Sequence, residues 1–398
     1  MRTSTANSYA ASLDSLVNRQ AALSQTQQQM TSGKRVNRAS DDPAAAARAE
    51  RALASEQRSV ASQRAVDASN NAMTLTESAL GNAGELLQTA REALVAAGNA
   101  TYTDAERSVV AARIKDLRSE LLAVANRSDG AGTYLFGGQG SNQPPFIDAP
   151  GGVQFRGTAG ATQAGSGEPL PLTMDGESTW MQARTGNGVF ETRAITSTGS
   201  AWIGAGSVTN PAALTGSTYS IQFAVVAGAT TYSVLKDGVA TAQANVAFQS
   251  GQAVQVDGMS ATILGAPANG DEFQLAPSTS SLSVFDVLDR AVAGLKTPNR
   301  TATQMVQASS VNLGNLDSVL GQSLAGRSQV GATMNRIDHA TERLATLKLS
   351  SQTERSNAED LDMTQAISDF SNRQTGYDAA LKAYSMVQRL SLFNYLNV

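Results

Sequence analysis

Met73-Thr74-Leu75-Thr76-Glu77-Ser78-Ala79-Leu80-Gly81-Asn82-Ala83-Gly84-Glu85-Leu86-Leu87-Gln88-Thr89-Ala90-Arg91-Glu92-Ala93-Leu94-Val95-Ala96-Ala97 is the stretch that decides the fold. Met73, Leu80, Leu87 and Leu94 stand a heptad apart, and Ala83, Ala90 and Ala97 fill the alternate rows. That spacing returns one helix face to the same side and is the seam of a coiled coil. Upstream, no proline interrupts the run until Pro43, and Asp42 before it is an N-cap with proline at the first helical position. Gly98-Asn99 ends the run. Such a helix is about 80 Å long at 1.5 Å per residue.

The same spacing continues outward. Thr103 and Glu106 form a capping box ahead of Val110, Ile114, Leu117, Leu121 and Val124, and that helix ends near Asp129-Gly130. The chain opens with Tyr9, Leu13, Leu16, Gln20, Leu23, Gln27 and Met30, a 3-4 seam with two glutamines in it, closed by Gly33. Lys34-Arg35-Val36-Asn37-Arg38 is a connector. Residues 284–295 make a short amphipathic helix stopped by Pro298, and from Thr303 to the end there is no proline. Val306, Leu313, Leu316 and Leu320 start a seam there, and Ile337, Ala340, Leu344 and Leu347 continue it. Ser351 and Glu354 fall on seam positions, which predicts weak packing, and Ile367, Phe370, Tyr377, Leu381 and Tyr384 resume in a shifted register.

Between these flanks the composition changes. Residues 141–280 hold 19 of the 34 glycines and 8 of the 10 prolines, with four basic and nine acidic residues. Tyr219, Ile221, Phe223 and Val225 alternate with small or polar residues, the period of a strand. Asp237-Gly238, Asp257-Gly258 and Asn269-Gly270 are tight-turn pairs, read as hairpins of a small antiparallel domain. Residues 140–215 show little pattern. The fold class is α+β: a long coiled-coil helical rod formed by the N- and C-terminal flanks, with an inserted antiparallel β domain. The predicted domains are 1–38 with 355–398, a terminal coiled coil; 39–140 with 281–354, a helical rod; and 141–280, the Gly/Pro-rich β domain at the surface. The extreme termini are expected side by side.

Composition narrows the chemistry. The 398 residues carry no cysteine, one histidine, 16% charged and 5% aromatic residues, and a net charge of −4. Without cysteine there are no disulfides, thiolate metal sites or cysteine nucleophiles. No nucleic-acid coat or polybasic membrane binder is suggested. His339 lies on a helix with no nucleophile placed beside it, so it reads as a surface or interface residue rather than a base. Gly321-Gln322-Ser323-Leu324-Ala325 lacks the strand and closing glycine of a nucleophile elbow, and Gly204-Ala205-Gly206 lacks the third glycine of a dinucleotide loop. Asp41-Asp42 reads as a helix cap rather than a metal site. Lys34, Arg35 and Arg38 read equally as a solvated turn or as an inter-subunit salt contact. No catalytic, metal or cofactor residues are assigned, and the protein is expected not to be an enzyme. No run reaches the roughly 20 apolar residues of a membrane span, and the N-terminus lacks the apolar core of a signal peptide. That leaves a cytoplasmic protein or one exported without a cleaved signal.

Four segments carry a family resemblance. They are Ala22-Leu23-Ser24-Gln25-Thr26-Gln27-Gln28-Gln29-Met30-Thr31-Ser32-Gly33-Lys34-Arg35-Val36-Asn37 with Ser40-Asp41-Asp42-Pro43; Thr133-Tyr134-Leu135-Phe136-Gly137-Gly138; Asp362-Met363-Thr364-Gln365-Ala366-Ile367-Ser368-Asp369-Phe370; and Leu390-Ser391-Leu392-Phe393-Asn394-Tyr395-Leu396. Over about residues 1–140 and 281–398 the chain resembles the flagellin superfamily of bacterial flagella, and within it the junction branch. The resemblance implies a terminal coiled coil lining an axial channel, a second helical layer outside it, and the β domain at the surface. It implies a homo-oligomeric ring between the hook-side junction protein (hook-associated protein 1) and the flagellin filament. It implies unfolded export through the flagellar type III apparatus, an extracellular place at the hook–filament junction, and a cytoplasmic export chaperone. The broken terminal seams favour an assembly interface at Leu13, Leu16, Leu23, Met30, Ile367, Phe370, Tyr377, Leu381, Tyr384, Leu390, Phe393 and Leu396. Phe370, Tyr377, Leu381 and Tyr384 are the expected chaperone contact, since an unpaired amphipathic helix fits a partner's groove. Two other readings stay open: a divergent flagellin filament subunit, and a secreted enzyme or adhesin in the middle domain.

Overall fold

The computed structural model describes residues 5–99, 101–140, 142–165 and 168–396, with side chains from Tyr9 to Met386 within those ranges. The chain divides into two compact units, residues 1–64 with 340–398, and residues 65–339. The helices are α1 (Thr5–Ser32), α2 (Pro43–Ala97), α3 (Asp104–Ala125), the short α4 (Gly176–Trp180), α5 (Val284–Lys296), α6 (Ala302–Glu359) and α7 (Met363–Leu396). α2 and α6 contribute to both units.

The heptad reading of α2 holds residue by residue. Met73, Leu80, Ala83, Leu87, Ala90, Leu94 and Ala97 are all buried. Its start is capped as expected, with Ala45 N–H donating to Asp42 Oδ1 at 2.9 Å. Asp41 does something else: its carboxylate accepts the N–H groups of Asn37 and Arg38 and closes the preceding turn. α3 begins with the complete Thr103–Glu106 capping box. In α6 the buried row is Leu316, Ser323, Val330, Ile337, Ser351 and Ala358, still on a heptad repeat. Val306, Leu347 and Glu354, expected in that seam, are exposed. Small residues hold three of these six inward places, Ser323, Ser351 and Ala358, while Leu347 stands beside the row in solvent. Ser351 Oγ donates to Ser55 Oγ at 3.0 Å, so a hydroxyl pair takes the place of apolar packing there.

In the unit of residues 65–339, α2 and α6 are tied by Arg91 to Asp317 at 2.6 Å and by Arg327 to Glu77 at 2.6 Å. α3 packs on α5. The hairpin of β1 (Phe146–Ala149) and β2 (Gly152–Phe155) is joined to both by Arg118, whose side chain is buried and bonds Asp148 at 2.7 Å and Asp289 at 2.7 Å. The Thr133-to-Gly138 motif has a structural role. Phe136 meets Trp180 edge-on at 5.2 Å, and Trp180 stacks on Phe285 at 6.2 Å. Gly138 has φ +67°, and a Cβ there would lie 1.8 Å from Thr158 O, so only glycine fits.

Residues 183–282 form the β domain. Its larger sheet runs β10 (Val246–Ala247), β8 (Ala229–Lys236), β7 (Tyr219–Val226), β13 (Glu272–Pro277), β4 (Phe190–Thr196), with β9 (Val239–Ala240) added to β8. The smaller sheet runs β11 (Ala253–Val256), β12 (Met259–Leu264), β5 (Trp202–Ile203), with β6 (Ser207–Val208) on β12. β3 (Ala183–Arg184) pairs with β14 (Ser280–Leu282) where the chain enters and leaves. All pairings are antiparallel, and the alternation read at 219–225 is the core face of β7. Phe190, Ile203, Tyr219, Ile221, Phe223, Ile263, Phe273 and Leu275 are buried in one cluster.

Asp237-Gly238 and Asp257-Gly258 are hairpin turns, with positive φ at both residues as the strand twist demands. Asn269-Gly270 is not. It carries the chain from β12 in one sheet to β13 in the other. The crossover is held by Asp271, wholly buried, whose carboxylate accepts Thr198 N–H at 2.7 Å, Ala268 N–H at 2.8 Å, Gly199 N–H at 3.2 Å and the Thr198 hydroxyl at 2.8 Å. Burial alone pushes this carboxyl up, but the donors outweigh it and hold it below the ordinary value. The β7–β8 turn is Ala227-Gly228, a pair the turn signals missed, because alanine is an unusual residue at positive φ.

Candidate assembly interface

α1 and α7 pack as an antiparallel pair. Tyr384 donates its hydroxyl to that of Tyr9, with ring centroids 5.4 Å apart. Further along, Arg373 donates to Ala22 O at 3.0 Å, and Leu361 N–H to Gly33 O at 2.9 Å. The connectors after α1 and before α7 are therefore neighbours. Lys34 pairs with Glu359 at 3.0 Å, and Arg35 bonds Asp42 at 3.2 Å and Ala358 O at 2.8 Å. Two of the three connector cations thus act within the chain. Asp42 is held below the ordinary carboxylate value by the Ala45 N–H and then by Arg35.

Among the buried and half-buried positions, Ser12, Leu16, Leu23, Thr26 and Met30 of α1 and Ala366, Phe370, Tyr377, Ala380 and Tyr384 of α7 follow the same steps of four, seven, three and four; Ala22, Gln29, Asp369 and Gly376 are half-buried beside them. In each the long step spans an exposed arginine, Arg19 or Arg373. Of the expected interface residues, Leu16, Leu23, Met30, Phe370, Tyr377 and Tyr384 therefore face the seam of this pair. Leu13, Ile367 and Leu381 do not: they are 45%, 54% and 41% exposed. Gln20 and Gln27 are exposed too, and Thr26 occupies the inward row, its hydroxyl donating to Ala22 O. Alanine decides the register. Ala366 and Ala380 let the helices approach, which turns the neighbouring Ile367 and Leu381 outward. The side chains of Leu390, Phe393 and Leu396 lie outside the described residues.

The two flanks of the pair differ in chemistry. Leu13 and Leu381 each follow an inward residue on antiparallel helices, so they flank the same side of the seam. Val17 (57% exposed), which follows the inward Leu16, adds apolar surface on that side although it lies off the 3-4 row. The other flank is an open groove of 680 Å³ lined by Asp14, Asn18, Arg19 and Arg373. The arrangement offers apolar area and charge to another surface. His339 is exposed on α6. Among the described residues no three His, Asp or Glu side chains cluster as metal ligands, and no helix is long and apolar enough to cross a membrane.

The helical flanks match known proteins. The bacterial flagellin N-terminal helical region matches residues 3–141, and the bacterial flagellin C-terminal helical region matches residues 313–396, more than half of the chain together. The chain belongs to the flagellin superfamily. Flagellar hook-associated protein 3 of Escherichia coli K12 is 25% identical over 397 residues, 99% of each chain. The crystal structure of hook-associated protein 3 from Legionella pneumophila superposes with TM-score 0.71 at 26% identity, over 76% of this chain and 97% of that one. The flagellar junction protein FlgL of the same organism gives 0.63 at 27% identity, over 70% and 95%. Within the superfamily the chain groups with hook-associated protein 3, a structural component of the flagellum. The α+β reading, helical flanks around an antiparallel β insert, is borne out.

Proposed function

We propose that this chain forms the adaptor ring between the hook-side junction protein and the first turn of the flagellin filament. The observation that carries the reading is the apolar flank of the α1–α7 pair, where Leu13, Val17, Ile367 and Leu381 stand in solvent. A two-helix pair covered on one side gains most from neighbours that bury the other side. Like copies supply that cover around a ring, hook-associated protein 1 below it and flagellin above it. In this reading residues 1–38 with 355–398 are the assembly core, residues 39–140 with 281–354 the rod, and residues 141–280 the outer surface.

Export belongs to the same reading. The chain travels unfolded from the cytoplasm without a cleaved signal and acts outside the cell, at the hook–filament junction. Phe370, Tyr377 and Tyr384 face α1 in the folded pair, so a chaperone that grips them takes the place of α1 until export. Leu381 stays available to either partner.

Immunogold electron microscopy with an antibody to residues 141–280 tests the role. A single band of gold where hook meets filament is the expected result. Gold along the whole filament supports the second reading, a divergent flagellin. Flagella without gold overturn both.

A further inference from the structure

Strand β4 ends the larger sheet and has β13 as its one sheet partner. Residues 193–196 are four exposed positions in succession. These residues pair with β13 on one edge only, and their register with it shifts at Ile195, so the outer edge is unpaired and carries a bulge. An open cleft of 720 Å³ follows this edge, with residues 192–195 on one side and α5, the 297–300 loop and α6 on the other.

Three arginines reach the cleft, and the Asp104 carboxylate lies beside its loop, accepting Asn299 N–H at 3.3 Å. Arg193 comes from β4, Arg290 from α5 and Arg300 from the loop, and no carboxylate lines the cleft itself. Arg193 is paired with Glu191, and Arg290 is within electrostatic reach of Asp286. Arg300 has no carboxylate at ion-pair distance among the described residues. On its floor, Gln307 accepts Ile203 N–H at 2.8 Å, while its buried Nε2 has no acceptor. A charge on an edge strand is an ordinary guard against sheet-to-sheet pairing. That role accounts for Arg193, not for two further arginines brought across the cleft by a helix and a loop. Nor does general basicity account for them, since the whole chain carries −4.

We infer that this cleft binds an extended acidic peptide segment by strand addition to β4, main chain to main chain, with its carboxylates on the three arginines. Such a segment spans about four residues, roughly 13 Å at 3.3 Å per residue, and runs past the bulge at Ile195. The inference does not depend on the ring.

The probe is a fluorescent heptapeptide of alternating threonine and glutamate, titrated by anisotropy into the full chain at low salt. It is compared with the same peptide N-methylated at alternate residues, a threonine–lysine peptide, and an oligogalacturonate. The glutamate peptide is expected to bind at least about tenfold more tightly than either altered peptide, and to slow amide exchange at residues 193–196. Arg290→Ser with Arg300→Ser is expected to weaken it by about tenfold or more, with an unchanged unfolding temperature. Equal binding of the N-methylated peptide, or equal competition by oligogalacturonate, overturns strand addition. No binding up to roughly 1 mM overturns the site.

Discussion

In the β domain, Ile221, Ile263, Phe273 and Leu275 are enclosed between two sheets, whereas in the α1–α7 pair only Leu16, Thr26 and Ala366 are buried among the described side chains. The β domain completes its own core. The terminal pair has one covered seam, one apolar flank in solvent and one charged groove. Burial contributes about 25 cal/mol per Å² of apolar surface, and a helix pair with a single seam collects little of it. On the proposed reading, the remainder is supplied by neighbouring subunits. The regions also differ in what a substitution reports: assembly in one, stability in the other.

The largest effect is expected where stability hardly changes. Leu13→Ser with Val17→Ser removes exposed apolar area, so the free chain keeps its unfolding temperature, with a cost within about 0.5 kcal/mol. Filament attachment should nonetheless be lost, seen as bare hooks and flagellin in the medium. Normal filaments would break the contrast. Phe273→Ala has the opposite character. It empties a closed core beside Phe223 (centroids 5.9 Å) and should cost the β domain about 3–5 kcal/mol by calorimetry. A cost under about 1 kcal/mol would mean the two sheets do not form one core.

The smallest effect is at the crossover. Asp271→Ala strands three backbone N–H groups and should cost about 2–3 kcal/mol. Its direction with pH follows from the depressed carboxyl. The folded value lies below the unfolded value of about 3.9, so the contribution is present above that pH and fades as pH falls through the folded value. Wild-type β domain should therefore lose stability on acidification, and Asp271→Ala should lose less. Parallel acid titrations of the two would show it.

Much of the fold was legible because its signals are local. The α2 heptads, the Asp42 and Thr103 caps and two of three turn pairs need only neighbours in sequence. Asn269-Gly270 misled because a tight turn between strands looks alike whether they share a sheet or not. Residues 140–215 were opaque because the contacts of Phe136, Trp180 and Phe285 join distant segments. In the candidate interface, Leu16, Phe370, Tyr377 and Tyr384 were found by size and spacing, while Ala366 and Ala380 were passed over for the larger Ile367 and Leu381.

By itself the sequence determined that helical flanks of the flagellin type enclose a β insert, since periodicity, caps and proline placement are written residue by residue. Which side of each helix faces inward, that Asp271 pins a crossover, and that a strand edge meets three arginines came from tertiary packing. Those outcomes depend on backbone approach and on partners far along the chain, which spacing does not encode.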